Sequence, residues 1–236
     1  MPVSIGLMNR LPPRARKYLV RALHPAWFGT LRRTTPLSSR WGKDRGTPVD
    51  RYYIDHFLMQ YPGEIHGCVL EVGAPVYTSR FGQGLERCEI LDNNPANPQA
   101  TLLADLERPL DIPSSQFDCL VFTQVFQFIY PVQASLEELY RILKPGGVLF
   151  ATLPGVSRVD LSYGPEKDYW RFSASACEKM FGAVFGSDRV AVRSYGNVLS
   201  AIAFLAGVSC EELSHKELDA HDPLFQVLIG VRAVKP

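Results

Sequence analysis

Several patterns that would place this sequence in a function class are missing from its 236 residues. No C-x-x-C pair occurs among the five scattered cysteines, so we expect no metal site and no disulfide framework; free thiols indicate the reducing cytoplasm. There is no G-x-G-x-x-G, which disfavours a nicotinamide-dependent enzyme. The most apolar run, Val198 to Val208, is too short to span a bilayer, and no secretory signal peptide is visible.

Acidic residues are absent from residues 1–43, which hold nine basic ones. A helix over residues 14–24 could bind an anionic membrane surface; alternatively, the stretch is a solvated arm against the acidic remainder, or an organelle transit peptide. We therefore divide the chain into a basic N-terminal arm, residues 1–43, and a domain, residues 44–236. The net charge of +1 provides no global field for nucleic acid, so we expect no nucleic-acid partner.

The stretch that organises the domain is G-C-V-L-E-V-G-A-P-V-Y-T-S-R-F-G, Gly67 to Gly82. Its apolar run fits a buried parallel strand, Glu71 puts an acid at the end of that strand, and Gly73 lets backbone pass close to a ligand. Strand, acid, glycine turn and short helix form the first unit of a nucleotide-binding α/β sheet. A strand followed by a glycine turn also occurs in many other α/β proteins.

Two later strands end in polar residues that could contact a nucleotide. Asp92 closes the second strand, where an acid can accept hydrogen bonds from both ribose hydroxyls; it could equally form an Asx turn with the Asn-Asn-Pro that follows. Thr123 and Gln124 follow the apolar strand F-D-C-L-V-F-T, at the carboxyl end where ligands bind in open α/β sheets.

The most specific stretch is L-E-E-L-Y-R-I-L-K-P-G-G-V-L-F-A-T-L-P, residues 136–154. With the Glu71-x-Gly73 turn and Asp92, it resembles the type 11 group of the class I S-adenosylmethionine-dependent methyltransferases over residues 67–154. Pro75 and Tyr77 stand where the glycine motif of that family has its second and third glycines, so this motif is degenerate.

The resemblance implies S-adenosylmethionine as the cofactor and assigns residues to it. Glu71 and Gly73 match the start of the glycine motif, Asp92 the ribose ligand, Asp105 the acceptor of the adenine amino group, and Leu106 the side chain that packs on the adenine ring. The implied fold is a doubly wound, Rossmann-like sheet of seven strands, mixed because the last strand is antiparallel, with helices on both faces.

Candidates for binding the acceptor lie on both sides of this core. Thr47-Pro48 predicts a helix start with Thr47 as N-cap, and a helix before the first strand often covers the cleft in such methyltransferases. Its pocket candidates are Arg45, Asp50, Tyr52 and His56. A long polar loop after Pro154 ends in D-Y-W-R-F; if Trp170 and Phe172 are core, its candidates are Asp168, Tyr169 and Arg171.

Methyl transfer to oxygen requires a base within hydrogen-bond reach, and Asp168 and His56 are the catalytic candidates. His56 could instead be a histidine that is hydrogen-bonded within its own layer. Residues 41–53 and 195–205 further resemble a bacterial subgroup encoded beside glycosyltransferases. This implies O-methylation of a sugar or other small-molecule acceptor, with a glycosyltransferase or membrane contact through the basic arm. The alternative is a non-catalytic scaffold in a glycan-assembly complex, which the substitutions at Pro75 and Tyr77 keep open.

Overall fold

The computed structural model describes residues 12, 15, 22 and 29–236. It divides into two compact units, Met1–Pro36 and Leu37–Pro236. In the first, a 3₁₀ turn covers Gly29–Leu31, and all but residues 15 and 22 of the helix that we expect over residues 14–24 lie outside the described residues. The second unit contains the sheet, the flanking helices and the candidate site.

Seven strands form one sheet in the order β3-β2-β1-β4-β5-β7-β6. Strands β1 to β5 run parallel to one another, and β7 pairs antiparallel with both β5 and β6. The pairing of Val69 with Cys119 joins β1 to β4. The predicted doubly wound mixed sheet is confirmed. The strand bounds are Gly67–Val72 (β1), Leu85–Asp92 (β2), Leu102–Leu103 (β3), Phe117–Thr123 (β4), Leu143–Pro154 (β5), Val190–Tyr195 (β6) and Leu228–Val234 (β7).

Helices cover both faces because the central strands are apolar on both sides. In β4, Leu120 and Phe122 face a core shared with α3 and α4, while Cys119 and Val121 face a core shared with α1 and α5. Short 3₁₀ turns cover Phe126–Phe128, Pro165–Lys167, Ser187–Arg189 and Cys210–Glu212. The helix bounds are Val49–Leu58 (α1), Thr78–Phe81 (α2), Val132–Ile142 (α3), Ala174–Phe185 (α4), Val198–Ala206 (α5) and His215–Asp219 (α6).

Helix starts differ from the sequence expectation in two places. Thr47 is not an N-cap: α1 begins at Val49, and Thr47 Oγ1 donates to Glu211 Oε1 at 2.8 Å. Ser135-Leu136-Glu137-Glu138 has the sequence pattern of a capping box and so predicts a helix start at Ser135, but α3 already begins at Val132, after Pro131. Tyr53, Ile54, Phe57 and Leu58 recur at helical spacing, which predicts a core-facing side of α1, and all four are buried. Among the described residues, no helix is long and apolar enough to cross a membrane.

Candidate functional site

Two adjoining cavities open at the carboxyl ends of the parallel strands. The smaller holds about 90 Å³ and lies beyond β2 and β3. The larger holds about 320 Å³ and lies between α1, the end of β4 and the loop after β5. They form one cleft, because both are lined by the same six residues: Val72, Gly73, Gln124, Val125, Phe128 and Tyr163.

Glu71 supports the turn between β1 and α2 from below. Its carboxylate is only 2% exposed and accepts the backbone N–H of Tyr77 at 2.9 Å and of Thr78 at 2.8 Å. Burial raises the pKa of Glu71, against the opposing effect of these hydrogen bonds. Glu71 does not line either cavity, so the structure gives it a supporting role in the turn.

The backbone angles of Gly73 and Tyr77 show where the turn after β1 requires a glycine. Gly73 has φ of +80°, and no atom lies within 4 Å of the place where a Cβ would stand. Tyr77 has φ of −88°, in the ordinary helical region, so the turn demands no glycine there. Its ring is buried in the core, and its hydroxyl accepts a hydrogen bond from Arg51 Nη1 at 3.2 Å.

The smaller cavity is lined by the residues that the family resemblance assigns to the ribose and the adenine. Asp92, Asp105 and Leu106 all line it. Asp92 Oδ1 accepts the N–H of Asn94 at 2.9 Å, which is the Asx turn that the sequence left open. Its Oδ2 accepts Nδ2 of Asn97 at 2.6 Å, and the same amide donates to the Gly73 carbonyl at 2.7 Å. This contact ties the end of β2 to the glycine turn.

Of the seven described residues that have a buried polar side-chain atom without a partner, four line the larger cavity. Asp50 Oδ1, Gln124 Nε2, Gln127 Oε1 and Arg158 Nε are buried and make no hydrogen bond within the described part of the chain, and all four residues line this cavity. Thr123 lines it as well. Buried polar groups of folded proteins are ordinarily paired, so this wall is suited to a polar ligand.

Asp168 and Arg171 close the larger cavity by holding the loop after β5. Arg171 donates to Asp168 Oδ1 at 2.6 Å and to Oδ2 at 2.8 Å, and it also binds the carbonyls of Ser157 and Arg158. Asp168 Oδ2 accepts the N–H of Asp160 at 2.7 Å. Burial opposes the charge, but the hydrogen bonds from Arg171 and Asp160 outweigh it and lower the pKa of Asp168. With both oxygens engaged, Asp168 is poorly suited to be the catalytic base.

Besides Glu71, four candidates lie outside both cavities. Arg45 is paired with Glu212, and Tyr52 donates to Asp219 at 2.6 Å. His56 Nδ1 is 2.8 Å from the Tyr52 carbonyl and its ring stacks on Tyr52, which matches the interpretation that it is hydrogen-bonded within its own layer. Tyr169 packs its ring against Tyr130.

Several residues of the cleft are not among the candidates that the sequence predicts. Arg51 follows Asp50 on α1, and Tyr163 comes from the middle of the loop and packs on Phe128, with ring centroids 4.6 Å apart. Arg158 lies over the ring of Trp41 with its Cζ 3.7 Å from the centroid, a cation–π contact. None of these residues belongs to a recognisable sequence motif. For Arg158 and Tyr163, the available signal was the length and polarity of the loop after Pro154.

Comparisons with known proteins agree with this architecture. Residues 81–151 match the methyltransferase domain family of type 11. A chain from the complex containing the Haloferax volcanii Trm112 methyltransferase activator has a TM-score of 0.55 and 18% identity, covering 86% of this chain and 100% of that one. An S-adenosylmethionine-dependent methyltransferase from Mesorhizobium loti has a TM-score of 0.51 and 15% identity, covering 78% and 99%.

A third similar structure is the Haemonchus contortus phosphoethanolamine N-methyltransferase 2 in complex with S-adenosylmethionine. Its TM-score is 0.50 at 16% identity, covering 100% of this chain and 60% of that one. No curated protein sequence matches the chain. The chain thus has the Rossmann-like fold of the class of S-adenosylmethionine-dependent methyltransferases, and its residues 81–151 match the methyltransferase domain family.

The cleft fits the cofactor of that class. The open space beside Gly73 leaves room for a ligand to pass the turn, and the acids at Asp92 and Asp105 are suited to ribose hydroxyls and an adenine amino group. The smaller cavity would hold the adenosine part. The rest of the cofactor would extend past the residues that line both cavities.

Proposed function

We propose that this chain is an active S-adenosylmethionine-dependent methyltransferase that O-methylates a sugar or another small, hydroxyl-rich acceptor. The observation that carries the proposal is the continuous cleft: an acidic cavity for adenosine opens directly into a larger cavity whose wall holds unpaired polar atoms. A methyl donor and a polar acceptor could therefore meet above Gly73 and Gln124.

The chain's part in the reaction is mainly positioning. S-adenosylmethionine carries a methyl group that is already activated on a sulfonium, so catalysis depends on holding the acceptor in line with it. The loop held by Asp168 and Arg171 forms one wall of the acceptor space. Gln124 and Gln127 line this space, and each has one buried polar side-chain atom, an amide nitrogen and a carbonyl oxygen respectively, with no partner in the described part of the chain.

Transfer to a hydroxyl also needs a group that takes the proton. Asp160 lines the larger cavity, and its Oδ1 accepts the N–H of Ser162 at 2.9 Å, which leaves Oδ2 without a hydrogen bond in the described structure. Both Asp168 oxygens are paired with the Arg171 guanidinium, which lowers the pKa of Asp168 against the effect of burial and makes it a weaker base. We therefore favour Asp160 over Asp168 and His56 as the proton acceptor.

The glycan part of the proposal rests on the sequence resemblance at residues 41–53 and 195–205, and the cleft is compatible with it. The test is to incubate the full chain with methyl-labelled S-adenosylmethionine and three acceptor sets: sugars and sugar nucleotides, simple hydroxylated metabolites, and amines such as phosphoethanolamine. We expect label on a hydroxyl oxygen, located by mass spectrometry of the product.

Two other outcomes would contradict the proposal. Label on amines only would exclude an O-methyltransferase and leave the coarser class intact. Binding of S-adenosylmethionine without transfer to any acceptor set would favour the non-catalytic scaffold.

A further inference from the structure

The first turn of α1 brings two opposite charges to the wall of the larger cavity. Asp50 and Arg51 both line it together with Gly73. Asp50 is only 9% exposed, and its Oδ1 has no hydrogen-bond partner in the described part of the chain. Its Oδ2 lies 4.0 Å from Arg51 Nε, at the outer limit of an ion pair. The two groups are therefore neighbours whose hydrogen-bonding capacity is largely unused.

Tyr77 holds the guanidinium of Arg51 in place. The Tyr77 hydroxyl accepts from Arg51 Nη1 at 3.2 Å, and its backbone is fixed by the hydrogen bond to Glu71. Burial raises the pKa of Tyr77 although Arg51 opposes the shift, so the phenol is neutral at physiological pH. The residue that replaces the third glycine of the turn thus positions a cation in the cleft.

The backbone of the turn has no donor left for an anionic ligand. Pro75 has no N–H, and every other amide from residue 73 to residue 78 is already used: Gly73 donates to Leu91, Ala74 to Val72, Val76 to Ala74, and Tyr77 and Thr78 to the Glu71 carboxylate. A carboxylate placed above this turn must be bound by side chains.

Cofactor geometry directs the charged end of the ligand to the same place. If adenosine occupies the cavity of Asp92 and Asp105, the rest of the molecule must continue past Gly73 and Gln124, which line both cavities. In S-adenosylmethionine that remainder ends in an ammonium and a carboxylate on one carbon. A carboxylate and a guanidinium side by side complement such an end.

We propose that Asp50 and Arg51 bind the amino-acid end of S-adenosylmethionine, Asp50 its ammonium and Arg51 its carboxylate, in place of the backbone donors that the turn no longer offers. The inference rests on the proposed function, since it requires S-adenosylmethionine as the ligand. Tyr77 is then a positioning residue for Arg51.

Two thioether ligands test this assignment by titration calorimetry. S-adenosylhomocysteine carries the amino-acid end, whereas 5′-methylthioadenosine lacks it and has the same adenosine. We expect Asp50→Asn and Arg51→Gln each to weaken S-adenosylhomocysteine binding by about tenfold or more while changing methylthioadenosine binding by less than about twofold. Tyr77→Phe should give a smaller loss, roughly threefold, again only with S-adenosylhomocysteine.

Asp55 and Arg80 supply the matched control. They form a two-pronged pair at 2.8 and 2.6 Å between α1 and α2 but line neither cavity. Asp55→Asn and Arg80→Gln should leave the affinities of both ligands unchanged, and circular dichroism checks the fold of every variant.

The possible results separate this inference from the proposed function. If the parent binds S-adenosylhomocysteine and the Asp50 and Arg51 variants keep the parent's preference over methylthioadenosine, the inference is wrong and the proposed function stands. Equal losses for both ligands would likewise overturn it, since the pair would then only support the fold. If the parent binds neither ligand, both proposals fail together.

Discussion

Asp92 combines a structural and a binding task in one side chain. Its oxygens order the turn after β2 through Asn94 and Asn97, yet it lies in the wall of the smaller cavity. We predict that Asp92→Ala weakens S-adenosylmethionine binding by about 1.5–3 kcal/mol, because it removes a charge-assisted hydrogen bond to the ribose. The measurement is calorimetric titration of the folded variant.

Two further variants separate the roles of Asp92. Asn97→Ala removes the hydrogen bond from Asn97 to Asp92 but keeps the Asp92 carboxylate. It should therefore weaken S-adenosylmethionine binding less than Asp92→Ala does. Asp111→Ala removes an exposed acid outside the cleft and should have no effect. Parent-like affinity in folded Asp92→Ala would show that the ribose assignment is wrong.

Glu71 is a buried carboxylate whose two acceptor oxygens satisfy two backbone donors. Glu71→Ala leaves the N–H groups of Tyr77 and Thr78 unpaired in a buried turn, and we predict that the free energy of unfolding falls by about 2–4 kcal/mol. Urea denaturation measures the loss, with the exposed Glu178→Ala as the control. A variant as stable as the parent would contradict the supporting role assigned to Glu71.

At the scale of residues, sequence reasoning succeeds where backbone topology decides position. Gly73, Asp92 and Asp105 follow strands of a parallel sheet, so their place in the cleft follows from the strand order. Their binding roles remain predictions. On α1, Asp50 lines the cleft and His56 does not. That difference depends on how the helix rotates against the sheet, which the hydrophobic pattern does not fix closely enough.

The loop between β5 and α4 is the element with the largest share in the acceptor cavity, and the Asp168–Arg171 pair holds it. We predict that Asp168→Asn speeds amide hydrogen exchange in residues 155–171, because Arg171 loses a buried anionic partner. Asp188→Asn, at an exposed pair with Arg189, is the control. Unchanged exchange in Asp168→Asn would contradict this role.

The pH dependence of the same loop follows from the lowered pKa of Asp168. A carboxylate with a lowered folded-state pKa contributes stability above its unfolded value, about 3.9, and loses it as the pH falls through the lower folded value. Relative to Asp168→Asn, the parent's extra protection should persist at neutral pH and disappear in strong acid.

Among the elements, the central strands and the main helices could be predicted, because long apolar runs and helical periodicity are strong signals. Element ends were less predictable. Helix α3 begins at Val132 and buries Ser135, whose hydroxyl resembled a cap in the sequence. The sequence favours a third strand over residues 100–104, but β3 covers only Leu102–Leu103, since little apolar pattern defines so short a strand.

The charge of the whole molecule is unevenly distributed, with nine of its 25 basic residues and none of its 24 acidic residues in residues 1–43. We propose that the arm attaches the protein to an anionic surface. Binding to vesicles containing phosphatidylserine should fall steeply with added salt, because exposed charges are screened within about 10 Å at 0.1 M. Sedimentation of vesicles with bound protein measures it.

A full-length variant provides the sharper comparison for the arm. Replacing Arg10, Arg14, Arg16, Lys17 and Arg21 by glutamine keeps the chain length and removes five charges, and it should abolish vesicle binding. Removal of residues 1–36, which leaves the compact unit beginning at Leu37, should do the same. Vesicle binding that persists after both changes would contradict the proposed attachment through the arm.

Calorimetric titration of the full-length protein with S-adenosylmethionine measures whether the cleft binds this ligand although Pro75 and Tyr77 replace two glycines of the family motif. We predict saturable one-site binding in the micromolar range, with S-adenosylhomocysteine competing for the same site. A micromolar dissociation constant corresponds to a binding free energy of about −8 kcal/mol, which contacts to the adenosine and to the charged amino-acid end can supply. If folded protein shows neither binding heat nor thermal stabilisation at millimolar ligand, the cleft does not bind S-adenosylmethionine.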